Sequence, residues 1–256
     1  LTYKPNAAVQ LEKELARRAY RCQSITLGAN TDPYQPIEKQ YCITRQLLEV
    51  LQRHRHPVAI ITKSSLVTRD LDILEEMATD GLCSVAISIT TLDPDLKRLM
   101  EPRAASTRAR FQAMEALARA GIPVTLLHAP VIPALNDCDM EKILQQSTRA
   151  GACAAAYILL RLPLEIRELF EEWMRQHFPL KANHVISLIK QCREGAHYDT
   201  RFGHRMRGTG TFANLLARRF KVSCKKLGLD QGETVALRTD LFRPDNGSRE
   251  QYELFS

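Results

Sequence analysis

The chain has 256 residues, of which 45% are hydrophobic and 25% charged, enough to bury one α/β domain with an appendage, or two domains, and this excludes wholesale disorder. Seven cysteines at positions 22, 42, 83, 138, 153, 192 and 224 form no close pair of the CxxC kind, which argues against a disulfide framework and against a zinc or iron–sulfur site built locally. The formal charge of +7 is uneven: between 181 and 227, eleven Lys and Arg face only Glu194 and Asp199, a net +9, so the remainder is near neutral or slightly acidic.

In chain order, the start is abrupt, Leu1-Thr2-Tyr3-Lys4, without a Met, and something is expected upstream. No Arg/Lys-flanked apolar signal opens the chain, which predicts a cytoplasmic location. No apolar run approaches the ~20 residues that cross a bilayer, so no membrane partner is expected. Five strands follow, at 24–28, 58–62, 84–89, 123–128 and 154–160, each nearly all apolar as in a parallel sheet covered by helices. Helical stripes lie between them: Ile43, Leu47, Leu48 and Leu51; Leu71, Leu74 and Met77; Phe111, Met114, Leu117 and Ala118. Gly81 and Gly121 stop two of these helices. Cys83 and Cys153, beside apolar runs, are expected to be buried.

From about residue 163 the rhythm turns helical. Pro163 introduces Ile166, Leu169, Phe170 and Trp173, a second helix carries Val185, Ile186, Leu188 and Ile189, and a third runs from about Thr211 to Leu227. Before the third lies a loop, Tyr198 to Gly210, whose Arg201, Arg205 and Arg207 are interleaved with glycines and aromatics, a pattern suited to phosphate or nucleic-acid contact. Arg218, Arg219, Lys225 and Lys226 read equally well as a solvated helix face. The tail after 228 reads as a poorly packed extension that Leu237, Leu241 and Phe242 tack to the body.

Polar residues collect where the strands end. Asn30, Thr31 and Asp32 follow the first strand within the proline-broken loop Gly28 to Glu38. Lys63, Ser64 and Ser65 follow the second, Ser88, Thr90 and Thr91 end the third, His128 ends the fourth, and Arg161 follows the fifth. Parallel strands that present polar groups at their carboxyl ends are what a β/α barrel with its site on that rim requires.

These rim segments, Thr31-Asp32-Pro33-Tyr34-Gln35-Pro36-Ile37-Glu38, Thr62-Lys63, Ser88-Ile89-Thr90, Met100-Glu101-Pro102-Arg103 and Ala129-Pro130-Val131-Ile132-Pro133, appear in this order and spacing in one family. The sequence resembles the radical S-adenosylmethionine (SAM) superfamily, in its spore-photoproduct-lyase-like branch, over residues 3–162, and a poorly characterised bacterial subgroup to about 229. The resemblance implies an α/β fold: a partial (β/α)6 barrel whose first strand precedes Leu1, over residues 1–162, then a basic helical region at 163–229 and an extended tail at 230–256. It places the SAM amino group near Thr31 and Asp32, its carboxylate at Lys63 and Ser88, and its adenine along Ala129 and Val131, with Glu101 and Arg103 near the rim.

The family's cluster loop, CxxxCxxC, is absent from this sequence. The [4Fe–4S] ligands are therefore expected upstream of Leu1, and the chain alone is expected to be inactive. By resemblance the full-length protein reduces SAM to a 5′-deoxyadenosyl radical with electrons from a flavodoxin or ferredoxin. Its substrate is not named, nucleic acid being suggested by lyase kinship and the basic region. The competing reading is a non-catalytic nucleic-acid-binding protein that uses residues 181–227. A phosphate-binding barrel is disfavoured, because no Gly-rich loop opens a helix in the later units.

Overall fold

The computed structural model describes residues 3–163, 166–193, 204–231 and 235–244. Helix α1 (Ala7–Leu15) precedes β1 (Ile25–Leu27), α2 (Glu38–Tyr41), α3 (Ile43–Arg53), β2 (Val58–Thr62), α4 (Leu71–Thr79) and β3 (Cys83–Ser88). Then come α5 (Pro94–Met100), α6 (Thr107–Arg119), β4 (Val124–Val131), α7 (Met140–Arg149) and β5 (Ala154–Leu159). The chain continues through α8 (Ile166–His177), α9 (Pro179–Gln191), α10 (His204–Arg207), α11 (Gly210–Leu227) and β6 (Asp230–Gln231). All neighbouring strands pair in parallel, in the order β1-β2-β3-β4-β5-β6. This is the parallel sheet expected from the alternation of apolar strands and amphipathic helices, in the α/β partial barrel that the resemblance implies.

Register divides the sheet into two unlike faces. Ile60, Val85, Ile87, Leu126 and Ala155 line up across β2 to β5 and are fully buried beneath the helices. The alternate residues, Ala59, Ala86, Thr125 and Ala156, share the opposite face and are only partly covered. A closed barrel fills its interior with branched side chains. Here alanines and Thr125 share that face with Ile61, Leu127 and Ile158, all of them only partly covered, so the concave side stays open.

The fourth strand outruns its expected end at 128. Pairing slips between His128 and Val131 and resumes with Val131 opposite Leu159, and the Ala129–Pro130 peptide within the slip is cis. Cys83 is buried as expected, its thiol donating to the Leu74 carbonyl. Cys153 is exposed instead: it lies at the amino end of the sheet, held to the Val124 carbonyl, before the burial pattern of β5 begins.

The region after Leu162 is continuous with the barrel. A second apolar core joins α8 and α9, through Met174, Ala182, Val185 and Ile189, to Leu96, Ile132, Leu135 and Leu162. Those four residues all belong to segments that leave the carboxyl ends of strands, so the α8–α9 hairpin stands on the rim. Helix α11 packs along α7 and returns the chain to β6, a two-residue strand too short to leave a periodic signal. The described part of the tail, residues 235–244, is better packed than its composition suggests. Phe242 lies against Tyr20, His54 and His56, the Arg243 amide donates to the His54 carbonyl (2.8 Å), and the Arg238 amide donates to Gly81 (3.0 Å). It thereby crosses the amino-terminal end of the sheet, opposite the rim.

Candidate functional site

The rim begins at Gly28, whose φ of +97° suits glycine. A Cβ there would lie 2.0 Å from the Ile61 carbonyl oxygen. Only a bare backbone lets the loop after β1 lie against the end of β2. Asp32 then fastens it: Oδ1 accepts from the Thr62 hydroxyl (2.7 Å) and the Tyr34 amide (2.9 Å), and Oδ2 from the Lys63 amide (2.8 Å). Asp32 thus fixes the backbone that carries Lys63. Thr31, beside it, is exposed at the rim.

Two other polar residues of this loop face inward. The Tyr34 hydroxyl donates to Asp70 (3.0 Å), and burial with the neighbouring Asp70 charge drives its pKa far upward. Glu38 accepts from the amides of Ile43 and Thr44 at the start of α3 and pairs with Arg69. Part of the polar crowding seen in the sequence therefore builds the loop.

At the end of β2 the Lys63 ammonium, about a third exposed, lies 2.6 Å from Glu101 Oε1. Glu101 closes α5 and is itself buried. Its other oxygen, Oε2, accepts from Arg110 Nη2 (2.5 Å), and Oε1 also receives the Thr90 hydroxyl (2.7 Å). Burial works against ionisation of Glu101, but Lys63 and Arg110 outweigh it and hold the carboxyl below its ordinary range. Arg110, only 1% exposed, also donates to the carbonyls of Ser88 (2.9 Å) and Ala105 (3.0 Å).

Across to β4, the Ser88 hydroxyl donates to the Ala129 carbonyl (3.2 Å), and Thr90 lies 3.1 Å from the same oxygen. Val131 is fully buried and its carbonyl accepts from the Leu160 amide, so its side chain belongs to the core. Lys63, Ser88 and Ala129 are therefore brought into one connected rim network, with Asp32 behind it and Thr31 beside it. Arg103 is exposed and outside that network.

Two members were not found from the sequence. Arg110 sits among Arg103 and Arg108, and an arginine on an amphipathic helix reads as solvated. Asn136 is fully buried, donates to the carbonyls of Thr90 (2.8 Å) and Pro130 (2.9 Å), and accepts from the Ile132 amide (2.6 Å). A lone Asn in a proline-flanked loop looks like turn chemistry, and only its three partners mark it as the tie between the loops after β3 and β4.

The donor set suits an amino-acid carboxylate: one ammonium at a strand end, hydroxyls beside it, and a concave face that is only partly covered. It does not suit a metal cluster. Among the described residues no three His, Cys, Asp or Glu side chains could share an ion, and all seven cysteines are free.

The basic region divides into internal and exposed cations. Arg193 is buried and donates to the Leu159 and Leu160 carbonyls, and Arg219 pairs with Asp137 and Glu141. Arg218, Lys225 and Lys226 are exposed on α11, as is Arg207 at the end of α10, which packs beside β5. Arg201 lies outside the described residues, and Arg205 is described only through its backbone in α10. No helix among the described residues is long and apolar enough to cross a membrane.

Comparison with known proteins matches this fold. Solved structures with the same fold include spore photoproduct lyase complexed with dinucleoside spore photoproduct (TM-score 0.62, 18% identity, 88% of this chain and 64% of that one). Another is a variant of that lyase with bound AdoMet and the same dinucleoside (TM-score 0.55, 15% identity, 90% of this chain and 66% of that one). Among curated sequences, an uncharacterized protein of Mycobacterium tuberculosis is 34% identical over 178 residues, 69% of this chain and 52% of that protein. An uncharacterized protein of Methanocaldococcus jannaschii is 29% identical over 155 residues, 60% of this chain and 56% of that protein. The chain spans about half the length of these curated relatives. The sequence model of the radical SAM superfamily matches residues 3–146, more than half of the chain, and the chain belongs to that superfamily.

Proposed function

We propose that the full-length protein is a radical SAM enzyme that seats SAM along the rim built by β1 to β4. The reading is carried by the convergence of Lys63, Ser88 and Ala129, from three successive strand ends, on one hydrogen-bonded network within the family-matched segment. Lys63 would receive the ligand carboxylate, the exposed Thr31 would meet its amino group, and the partly open backbone at Ala129 would flank the adenine. Asp32 would act behind them, by holding the Lys63 backbone in place. Bound there, SAM would supply a carbon-centred radical. The cluster that the family uses would take its thiolates from outside residues 1–256, whose sequence holds no CxxxCxxC triplet. The electron would come from a flavodoxin or ferredoxin.

We further propose nucleic acid as the substrate class. Two observations support it: the solved lyase of the same fold was captured with a dinucleoside photoproduct, and the exposed Arg207 ends α10, which packs against β5, with the exposed Arg218 on the helix that follows. A non-catalytic nucleic-acid-binding protein explains the basic helix but leaves the buried rim network without a use.

The test is anaerobic reconstitution of the full-length protein with iron and sulfide, followed by reduction with dithionite in the presence of SAM. Release of 5′-deoxyadenosine, lost in Lys63→Ala, is expected. A cluster-loaded protein that neither binds nor cleaves SAM would refute the assignment. Nucleic-acid affinity should fall steeply with salt and weaken in an Arg207→Ala/Arg218→Ala variant. Salt-independent binding would remove the substrate class while leaving the SAM site standing.

A further inference from the structure

Lys63 is placed by a residue of another element, and that placement has its own support. Glu101 is held on three sides: by Arg110 at Oε2, by Thr90 at Oε1, and by its position at the end of α5. Arg110 is anchored in turn by the carbonyls of Ser88 and Ala105. The chain of contacts runs from buried to open, with side-chain exposures of 1% for Arg110, 8% for Glu101 and 35% for Lys63. A lysine has four rotatable bonds and a compact charge, so an ammonium at an open rim has no fixed position of its own.

The charges add a second argument. Lys63, Glu101 and Arg110 together carry one net positive charge, and Lys63 is the most exposed of the three; Lys97, which feels the charges of Arg110 and Glu101, adds a cation whose ammonium is tied to the Ala104 carbonyl. An ammonium has three protons. One of them is given to Glu101 at 2.6 Å, and the others remain for an incoming anion.

We propose that Glu101 is a positioning residue, fixed by Arg110 and Thr90, that holds the Lys63 ammonium where a ligand carboxylate binds. The proposal rests on the reading of Lys63 as the SAM carboxylate partner. Its prediction runs against simple electrostatics. Removing the Glu101 charge raises the local net charge, which by itself would tighten anion binding, whereas loss of positioning weakens it.

The experiment measures equilibrium binding of SAM and of decarboxylated SAM, which lacks the carboxylate, to the full-length protein by calorimetry. The wild type should prefer SAM, and Lys63→Ala should abolish the preference. Glu101→Gln should bind SAM about tenfold more weakly, the size of one charge-assisted hydrogen bond, with decarboxylated SAM unchanged within about twofold. Because Glu101→Gln leaves buried Arg110 unpaired, Glu101→Gln/Arg110→Met serves as the second variant. It keeps the net charge at one and should show the same selective loss. The Lys63→Ala/Glu101→Gln variant should lose no more preference than Lys63→Ala alone.

An unchanged or stronger preference for SAM in both Glu101 variants overturns the proposal, as does an equal fall for the two ligands, which is the mark of a merely structural role. A wild type that does not distinguish the two ligands, or a Lys63→Ala variant that still does, refutes the carboxylate reading of Lys63 and removes the proposal with it. The two failures are therefore told apart by the wild type and Lys63→Ala alone.

Discussion

Asn136→Ala should be among the most damaging small substitutions in the barrel, and Ser147→Ala among the least, although both side chains are fully buried. Truncating Asn136 leaves the Ile132 amide and the Thr90 and Pro130 carbonyls without their side-chain partner, the first two contacts buried and the third partly so. A buried group left unsatisfied costs about 1–3 kcal/mol, the amide more than a carbonyl that keeps other contacts, so a combined loss of about 3–5 kcal/mol is expected. For a chain of this size that lowers Tm by roughly 6–20 °C at about 2–4 °C per kcal/mol. The Ser147 hydroxyl has no hydrogen-bond partner among the described residues, so replacing it by Ala removes an unpaired polar atom and should change stability by less than about 0.5 kcal/mol. Urea melts of the two variants at neutral pH decide the matter, with the slope confirming a common unfolding transition. An Asn136→Ala loss below about 1 kcal/mol, or a Ser147→Ala loss equal to it, would show that hydrogen-bond satisfaction is not what holds these loops.

Three further outcomes are expected. Gly28→Ala should destabilise by about 3 kcal/mol or more, through a strained positive φ together with a Cβ 2.0 Å from the Ile61 carbonyl, and a variant as stable as wild type by denaturant melts would contradict the packing of β1 against β2. His128 is completely buried; its Nδ1 donates to the Ile89 carbonyl, its Nε2 has no partner among the described residues, and burial holds its pKa below the ordinary 6.5. The fold favours the neutral ring, so its stability is fully present above pH 6.5 and declines as pH falls below that value; His128→Asn, which can keep the donor to Ile89, should flatten the decline in a pH series of melts. His56, also held low by burial, should account for a remaining slope. Arg219→Ala should cost only about 1 kcal/mol because the pair is partly exposed, and it should raise the Glu141 pKa, which the Arg219 hydrogen bond now depresses, as NMR titration would show.

Strand order and the rim were legible in the sequence because the information is local. Parallel strands buried on both faces are continuous apolar runs, and whatever polar residue follows one must stand at its carboxyl end. Lys63 needed no more than that. Arg110 was not legible: nothing in the periodicity of α6 separates it from the exposed Arg108, and its partners lie on β3 and at the end of α5. Tyr34 and Glu38 illustrate the opposite error, in which polar density near a rim suggested chemistry although both residues are buried supports. Cys153 and His128 differ for a reason of depth along the strand. One precedes the first covered residue of β5, while the other remains under the helices because β4 continues past it.

The lateral ties at the rim follow from the openness of the barrel. A closed barrel fixes its strand ends by filling the interior, but here the concave face, from Ala59 and Ile61 to Ala156 and Ile158, stays partly uncovered and supplies less such packing. The first three neighbouring pairs of rim segments are instead joined by polar contacts that the strand ladder does not provide. Asp32 to Thr62 joins the first two, Lys63 to Glu101 the second to the segment after β3, and Ser88, Thr90 and Asn136 bind that segment to the loop after β4. Preorganisation of this kind is needed where a ligand must find several groups already in place. It also concentrates vulnerability. A substitution at any one tie should loosen the neighbouring strand ends together, so Asn136→Ala should weaken SAM binding even though Asn136 is fully buried, whereas Ser147→Ala, equally buried but outside the chain of ties, should not. Calorimetric titration of both variants with SAM at a temperature where each remains folded checks this, and equal affinities in the two would show that the rim keeps its arrangement without the lateral contacts.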